Sequence, residues 1–188
     1  MSALTDPGDI VAQFFSHAFN PKQSQIDRLL GMGVSIQALA NDTDGQGLAI
    51  GVARVEKCGR RFEFVEDGAN AVVVVARDEE GTAADLVAWM PNEGWFGPWL
   101  DTLPLLGMHN LFAPRLGDPL PAFLDPADWF RADRDGVVIL NRQHAWRLLE
   151  GVTVAASTVE DGVKLRKVLE TPKPKIVVRA LPEVKAAA

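Results

Sequence analysis

Four consecutive valines, Val72-Val73-Val74-Val75, lie inside the longest uninterrupted apolar run of the chain, Ala71 to Ala76. Successive side chains of a strand point to opposite faces, so a run without polar alternation leaves neither face for water. The segment 71–77 is therefore expected to be a central strand, covered above and below, and the rest of the chain has to supply two layers. The run is far shorter than the about 20 apolar residues that cross a bilayer, so no membrane segment is expected.

A chain of 188 residues is long enough for one ordinary domain, or for one with a small companion, and can bury a core without disulfides or metals. With 47% hydrophobic and 23% charged residues it falls in the globular, soluble class. The single cysteine, Cys58, excludes an internal disulfide framework and a cysteine-based zinc cluster, and fits a reducing compartment. Met1-Ser2-Ala3-Leu4-Thr5-Asp6 lacks the basic start and apolar stretch of a secretory signal, so a cytoplasmic location is expected. The net charge of −6 is unevenly placed, with an acidic body over residues 60–130 and a basic end over 161–188.

The elements follow from periodicity and turn chemistry. Asp9 is placed to cap a helix over 10–19, whose residues Ile10, Val11, Phe14, Phe15, Ala18 and Phe19 form an apolar stripe. Asn20-Pro21 predicts a second helix through Leu30, ended by Gly31 and Gly33, so that an N-terminal helical hairpin results. An antiparallel β-meander is expected next, with strands at 34–39, 48–56, 61–66, 71–77 and 85–90. In the second of these, large Ile50 and Val52 alternate with Gly51 and Ala53, so something must pack closely on the small-residue face. Seven of the twelve prolines fall within 91–126, and an irregular Pro/Gly/Trp-rich layer is expected over 91–125. Beyond it, Asp125-Pro126 starts a short helix, and strands at 137–140, 152–156 and 175–181 alternate with helices at 141–150 and 157–170. That is a βαβαβ-like section, held here as a small parallel layer with antiparallel neighbours left open. Ser157 and Glu160 read as a capping box for the last of these helices. The fold class expected is thus α+β, in three consecutive parts, 1–90, 91–125 and 126–188, forming one compact unit.

No stretch names a reaction. Asn41-Asp42-Thr43-Asp44-Gly45 has part of the spacing of a calcium loop, but Ala40 and Gly51 stand where ligands belong, and a plain turn is the simpler reading. Neither glycine-rich stretch, Gly45-Gln46-Gly47 or Gly94-Trp95-Phe96-Gly97, matches a phosphate cradle. Ser157 lacks the flanking glycines of a nucleophile elbow. His17, His109 and His144 stand on separate elements without a ligand pattern; His109, inside the Trp-rich segment, is the one kept as a candidate. Cys58 is read as a free turn cysteine, although Lys57, Arg60 and Arg61 beside it would lower a thiol pKa. No cofactor and no metal are expected. The basic set Lys164, Arg166, Lys167, Lys173, Lys175 and Arg179 lacks interleaved aromatics to stack on bases, and reads as solvated surface, against nucleic-acid binding.

The most unusual local feature is the aromatic cluster Trp89, Trp95, Phe96, Trp99, Trp129 and Phe130. Buried, these rings attach the proline layer to the sheet; exposed, they make a binding surface, because aromatic anchors dominate hot spots. The candidate binding residues are Trp95, Phe96, Trp99 and His109. The segments Asp85-Leu86-Val87-Ala88-Trp89-Met90-Pro91 and Pro126-Ala127-Asp128-Trp129-Phe130-Arg131, followed by Gly136-Val137-Val138-Ile139-Leu140, resemble stretches of uncharacterised proteins that sit among bacterial prophage genes, over roughly residues 70–180. The resemblance implies a bacterial or phage accessory protein and no particular activity. The leading expectation is a non-enzymatic interaction protein with a protein partner. The alternatives are an enzyme or small-ligand protein with its pocket under 91–125, using His109, Asp101 or Glu93, and nucleic-acid binding through the basic end.

Overall fold

The computed structural model describes residues 9–40, 50–115 and 117–170. The polar loop 41–45 and the strand expected at 175–181 lie outside them. The chain forms α1 (Ile10–His17), α2 (Gln23–Gly31) and α3 (Ile36–Ala40). Five strands follow, β1 (Gly51–Cys58), β2 (Arg61–Phe64), β3 (Ala69–Arg77), β4 (Ala83–Met90) and β5 (Trp95–Pro98). They build one antiparallel sheet in the order β2-β1-β3-β4-β5, and the valine strand β3 is its centre, as its lack of polar alternation required. Its residues divide by parity between two cores. Ala71 and Val73, with Leu86, Ala88 and Met90 of β4, belong to one; Val72 and Val74, with Val87 and Trp89, belong to the other. The fold is α+β.

The first core is filled by α1, capped by Asp9 through the amides of Val11 and Ala12 at 3.0 and 3.1 Å. Ile10 and Phe14 are buried there, and the small face of β1 explains how: a Cβ at Gly51 would come 2.7 Å from Ala18 Cβ and 2.8 Å from Phe14 Cζ. The sheet curls around α1 as a half-barrel, bringing β2 beside β5 without a hydrogen-bonded ladder between them. The closure depends on Gly97, where a side chain would collide with the Arg60 carbonyl oxygen in the β1–β2 turn. Because that obstacle is backbone, Gly97→Ala is expected to destabilise the protein by about 1–3 kcal/mol, read as a lower urea midpoint with an unchanged slope.

The other face of the sheet is covered by α2, α3 and the remaining elements: β6 (Leu105–Leu106), α4 (His109–Phe112), β7 (Leu120–Phe123), α5 (Pro126–Arg131), β8 (Val137–Ile139), α6 (Arg142–Leu148), β9 (Val154–Ala155) and α7 (Val159–Leu169). The four short strands form a second sheet, ordered β6-β8-β7-β9. Both β8 and β9 pair in parallel with β7, so the expected parallel layer exists, but the strand between the two was expected to be irregular. Segment 91–125 is more regular than its prolines imply, since it holds β5, β6, α4 and β7. Pro121 fits because Leu120 N–H bonds to Thr153 O on the β9 side at 2.8 Å. The missing Pro121 N–H thus falls on the β8 side, ahead of Val137 where that ladder starts.

Other differences have local causes. Residues 34–39, expected as a strand, hold most of α3, because Ser35 Oγ accepts from Ala38 N–H at 2.9 Å and opens a helical turn. Gly33 (φ 84°) turns the chain into it, and the α2–α3 region is tied to α5 by Arg131 Nε donating to Met32 O at 2.9 Å and by Arg134 Nε donating to Ala38 O at 2.7 Å. The two N-terminal helices are divided by the sheet: Phe14 faces one core and Leu29 the other. The chain between them crosses by pairing Phe19 with Val52, where β2 no longer reaches β1. Lys22, not Asn20, precedes α2, with Gln25 Oε1 accepting its amide at 2.8 Å. The cap of α7 is Thr158, one residue after the expected Ser157, and accepts from Asp161 N–H at 3.1 Å.

Candidate functional site

The edge of the first sheet is where the aromatic segment and the second sheet meet. Trp99 N–H bonds to Leu86 O at 2.8 Å, and the β4–β5 register pairs Val87 with Pro98, Ala88 with Gly97 and Trp89 with Phe96. Antiparallel pairs alternate between bonded and non-bonded. With Leu86 opposite Trp99 a bonded pair, Trp89 and Phe96 are a non-bonded one, and the Phe96 N–H and C=O point away from β4. Pro98 falls in the same class, so its missing N–H lies on the side away from β4, where the residue is buried. Trp95 and Phe96 project to opposite faces of β5 and pack on different cores, yet both line one cleft. That cleft, about 610 Å³, therefore runs along the strand edge.

Its walls come from three places: Gly59 and Arg60 in the β1–β2 turn; Trp95, Phe96 and Pro98 on β5; and Ile139, Leu140, Arg142 and Gln143 at the end of β8 and the start of α6. The last wall is fixed because Leu140 and Asn141 amides both donate to Pro104 O, at 2.9 and 3.0 Å, and because Asn141 is buried and caps Gln143 N–H at 3.1 Å. Apolar residues and half-buried rings make the floor, and two guanidinium groups stand at the rim. Lys57 lies 5.3 Å from the centre of the Trp95 ring, a cation–π contact, and pairs with Glu93.

Arg60 pairs with Asp101, a residue whose φ of 64° is in the left-handed region. The turn that places it is braced by Asp85, a fully buried carboxylate on β4. Asp85 accepts from Leu86 N–H (2.7 Å), Leu100 N–H (2.9 Å) and Thr102 N–H (3.0 Å). The Thr102 hydroxyl bridges Asp85 Oδ2 at 3.1 Å and Ala84 O at 2.8 Å. Burial pushes the Asp85 carboxyl above its ordinary 3.8, against the bonds from Leu100, Thr102 and Leu86 that favour the charged form. The bridging hydroxyl serves both forms: it donates to the carboxylate, or it accepts from the protonated acid and donates to Ala84 O. Arg142 is exposed and forms no ion pair among the described residues.

Of the four candidates from sequence, Trp95 and Phe96 line the cleft; Trp99 and His109 do not. Trp99 is half-buried in the α1 core, 5.7 Å from the Phe64 ring. His109 opens α4, next to Asn110, whose side-chain amide donates to Arg134 O and Gly136 O at 2.9 Å each. Asp101 and Glu93 are engaged in the ion pairs with Arg60 and Lys57. Trp89, Trp129 and Phe130 are buried: Trp89 stacks on Phe130 at 5.4 Å, and Trp129 Nε1 donates to Gly136 O at 3.0 Å. His17 stacks on Phe64 at 4.3 Å, and His144 is exposed on α6. Cys58 ends β1 instead of lying in the turn. Its thiol is pushed up from 9.0, first by desolvation and then by Glu63 and Glu56, which outweigh Arg61. Lys164 pairs with Glu160 and Asp161 on its own helix; Lys173, Lys175 and Arg179 lie outside the described residues. Arg60, Arg142 and Gln143 were not singled out as site residues, because only the meeting of β5 with the β8–α6 junction brings them together.

Among the described residues no group of three or more His, Cys, Asp or Glu side chains is placed to hold a metal ion, and no helix is long and apolar enough to cross a membrane. The fold and cleft thus define an α+β protein with an aromatic, arginine-rimmed groove on a sheet edge. No family model, curated protein or solved structure matches the chain.

Proposed function

We propose that the protein is a non-enzymatic interaction protein, of the accessory kind that the resemblance implies, and that it docks a segment of a partner protein in the β5 cleft. The observation that carries this reading is the composition of the cleft: Trp95 and Phe96, half-buried on a sheet edge, line it together with Arg60 and Arg142. Aromatic and arginine side chains supply most of the energy of protein interfaces, because they present large rigid area and planar hydrogen bonding at small ordering cost. The test is selection of linear peptides from a random displayed library on the intact protein. Binding of the selected peptides is then measured on two single variants.

Trp95→Ala is expected to weaken those peptides at least tenfold when measured on the folded fraction, with a loss of stability from its contact with the α1 core. Trp99→Ala, which removes a ring from the α1 core, is expected to lower stability by about 2–4 kcal/mol and to leave the affinity of the still-folded fraction unchanged. Peptides that bind the Trp95 variant as tightly as the wild type would overturn the assignment of the cleft.

A further inference from the structure

We propose that the occupant of the cleft is an acidic segment of a partner protein, which adds as a short extended strand to the free edge of β5. This rests on the docking reading above and specifies its chemistry. Three observations converge on it.

The first is the edge itself. Phe96 turns its N–H and C=O away from β4; the Arg60 turn closes on Gly97, which is buried with Pro98, so the stretch of edge left open is Trp95–Phe96, where β2 forms no ladder. A main-chain donor and acceptor are thereby left for an incoming strand. Pro98 withholds the next donor on the same edge, which keeps the pairing short and its register centred on Phe96. The other edges are less suited: β6 and β9 are only two residues long, β6 is fully buried, and β2 presents exposed Arg61 and Glu63 on either side of buried Phe62.

The second observation is charge. The protein carries a net charge of −6, yet among the described residues lining this cleft the ionisable ones are Arg60 and Arg142. Arg60 already holds one carboxylate, that of Asp101, which shows the chemistry its guanidinium accepts at this rim. Arg142 has no ion pair among the described residues. A guanidinium fork matches a carboxylate in two parallel hydrogen bonds, so acidic side chains on the incoming strand are the complementary choice.

The third is alternation. Successive side chains of an added strand point to opposite faces, as Trp95 and Phe96 do. A segment alternating carboxylates with apolar residues would meet the Trp95 side of the cleft with one set and the Phe96, Ile139 and Leu140 side with the other.

The probe is an acetylated, amidated octapeptide of four Val-Glu repeats, compared with its Val-Gln counterpart and with a Val-Glu peptide N-methylated at alternate residues. The Val-Glu peptide is expected to bind, and to weaken at least tenfold on each of three changes: Glu to Gln in the peptide, Arg142→Gln in the protein, and N-methylation of the peptide. Its binding should also weaken as salt is raised, and amide exchange at Phe96 should slow when it is bound. Equal binding of the Val-Gln peptide would overturn the acidic partner while leaving the docking reading intact. Equal binding of the N-methylated peptide would overturn strand addition. A dimer seen by sedimentation without peptide, and lost in Arg142→Gln, would put a second copy in the cleft and overturn a separate partner. Failure of the Val-Glu peptide where library peptides bind Trp95-dependently would also overturn the inference, whereas failure of every peptide, library included, would remove the docking reading itself.

Discussion

Asp85→Ala is expected to lower the stability of the protein by about 2–4 kcal/mol, near the upper end for a single substitution. Alanine removes the acceptor of three backbone amides, those of Leu86, Leu100 and Thr102, and an unsatisfied buried donor costs about 1–3 kcal/mol. Water reaches the Leu100 and Thr102 side of the turn, which recovers part of that loss. Asp85→Asn keeps one oxygen for Leu86 and Leu100 and strands only Thr102, so its cost should be about half as large. Both are read from urea denaturation monitored by circular dichroism. The acidity of the site adds a second signature. The native carboxyl sits above its ordinary value, so the folded state binds this proton more readily than the unfolded chain does. Its contribution is fully present below pH 3.8 and is lost as pH rises through the native value. Stability measured upward from pH 3.8 should carry a declining component that Asp85→Asn removes. An Asn variant with the same pH slope as the wild type would contradict the raised carboxyl.

Reversing both rim charges, Arg60→Glu with Arg142→Glu, is expected to reduce binding of acidic peptides more than a hundredfold while the fold persists. Both side chains are exposed, and an exposed ion pair such as Arg60 with Asp101 contributes about 0–1 kcal/mol to stability. Binding is affected far more strongly, because like charges facing each other across an interface add repulsion to the loss of attraction. Competition binding at low and physiological salt would measure it, with a melting curve of the double variant as control. A double variant that binds acidic peptides within threefold of the wild type would exclude the guanidinium groups as anchors.

Much of the first sheet was legible because its physics is local. The valine run had no face for water and became the central strand. The stripe on α1 and the small face of β1 each implied a close partner, and Phe14 and Ala18 meet Gly51 there, whereas Phe15 and Phe19 of the expected stripe stay exposed and the helix ends at His17. Asp9, Asp125 and Asn141 all cap the helices that follow them. Legibility failed where a non-local contact overrode a local signal. Leu120-Pro121-Ala122-Phe123 carries a proline that argues against an inner strand, and its tolerance depends on Pro121 facing the stretch of β8 where no ladder has begun. Gly136, with φ 90°, supports this, since a side chain there would strike the Pro121 carbonyl. Residues 34–39 look like a strand until Ser35 is recognised as a cap. In the candidate site the aromatic half could be named from composition, but Trp95 and Trp99 are alike in sequence and both pack on the α1 core; only Trp95 also lines the cleft. Arg60 and Arg142 are ordinary surface arginines until β5 meets the β8–α6 junction.

The most direct test of the cleft as a docking surface is an amide hydrogen-exchange map of the intact protein with and without a saturating selected peptide. Protection concentrated at residues 59–60, 95–98 and 139–143, with β9 and α7 unchanged, is the expected result. Protection elsewhere on the molecule, with those three stretches exchanging as in the free protein, would contradict it.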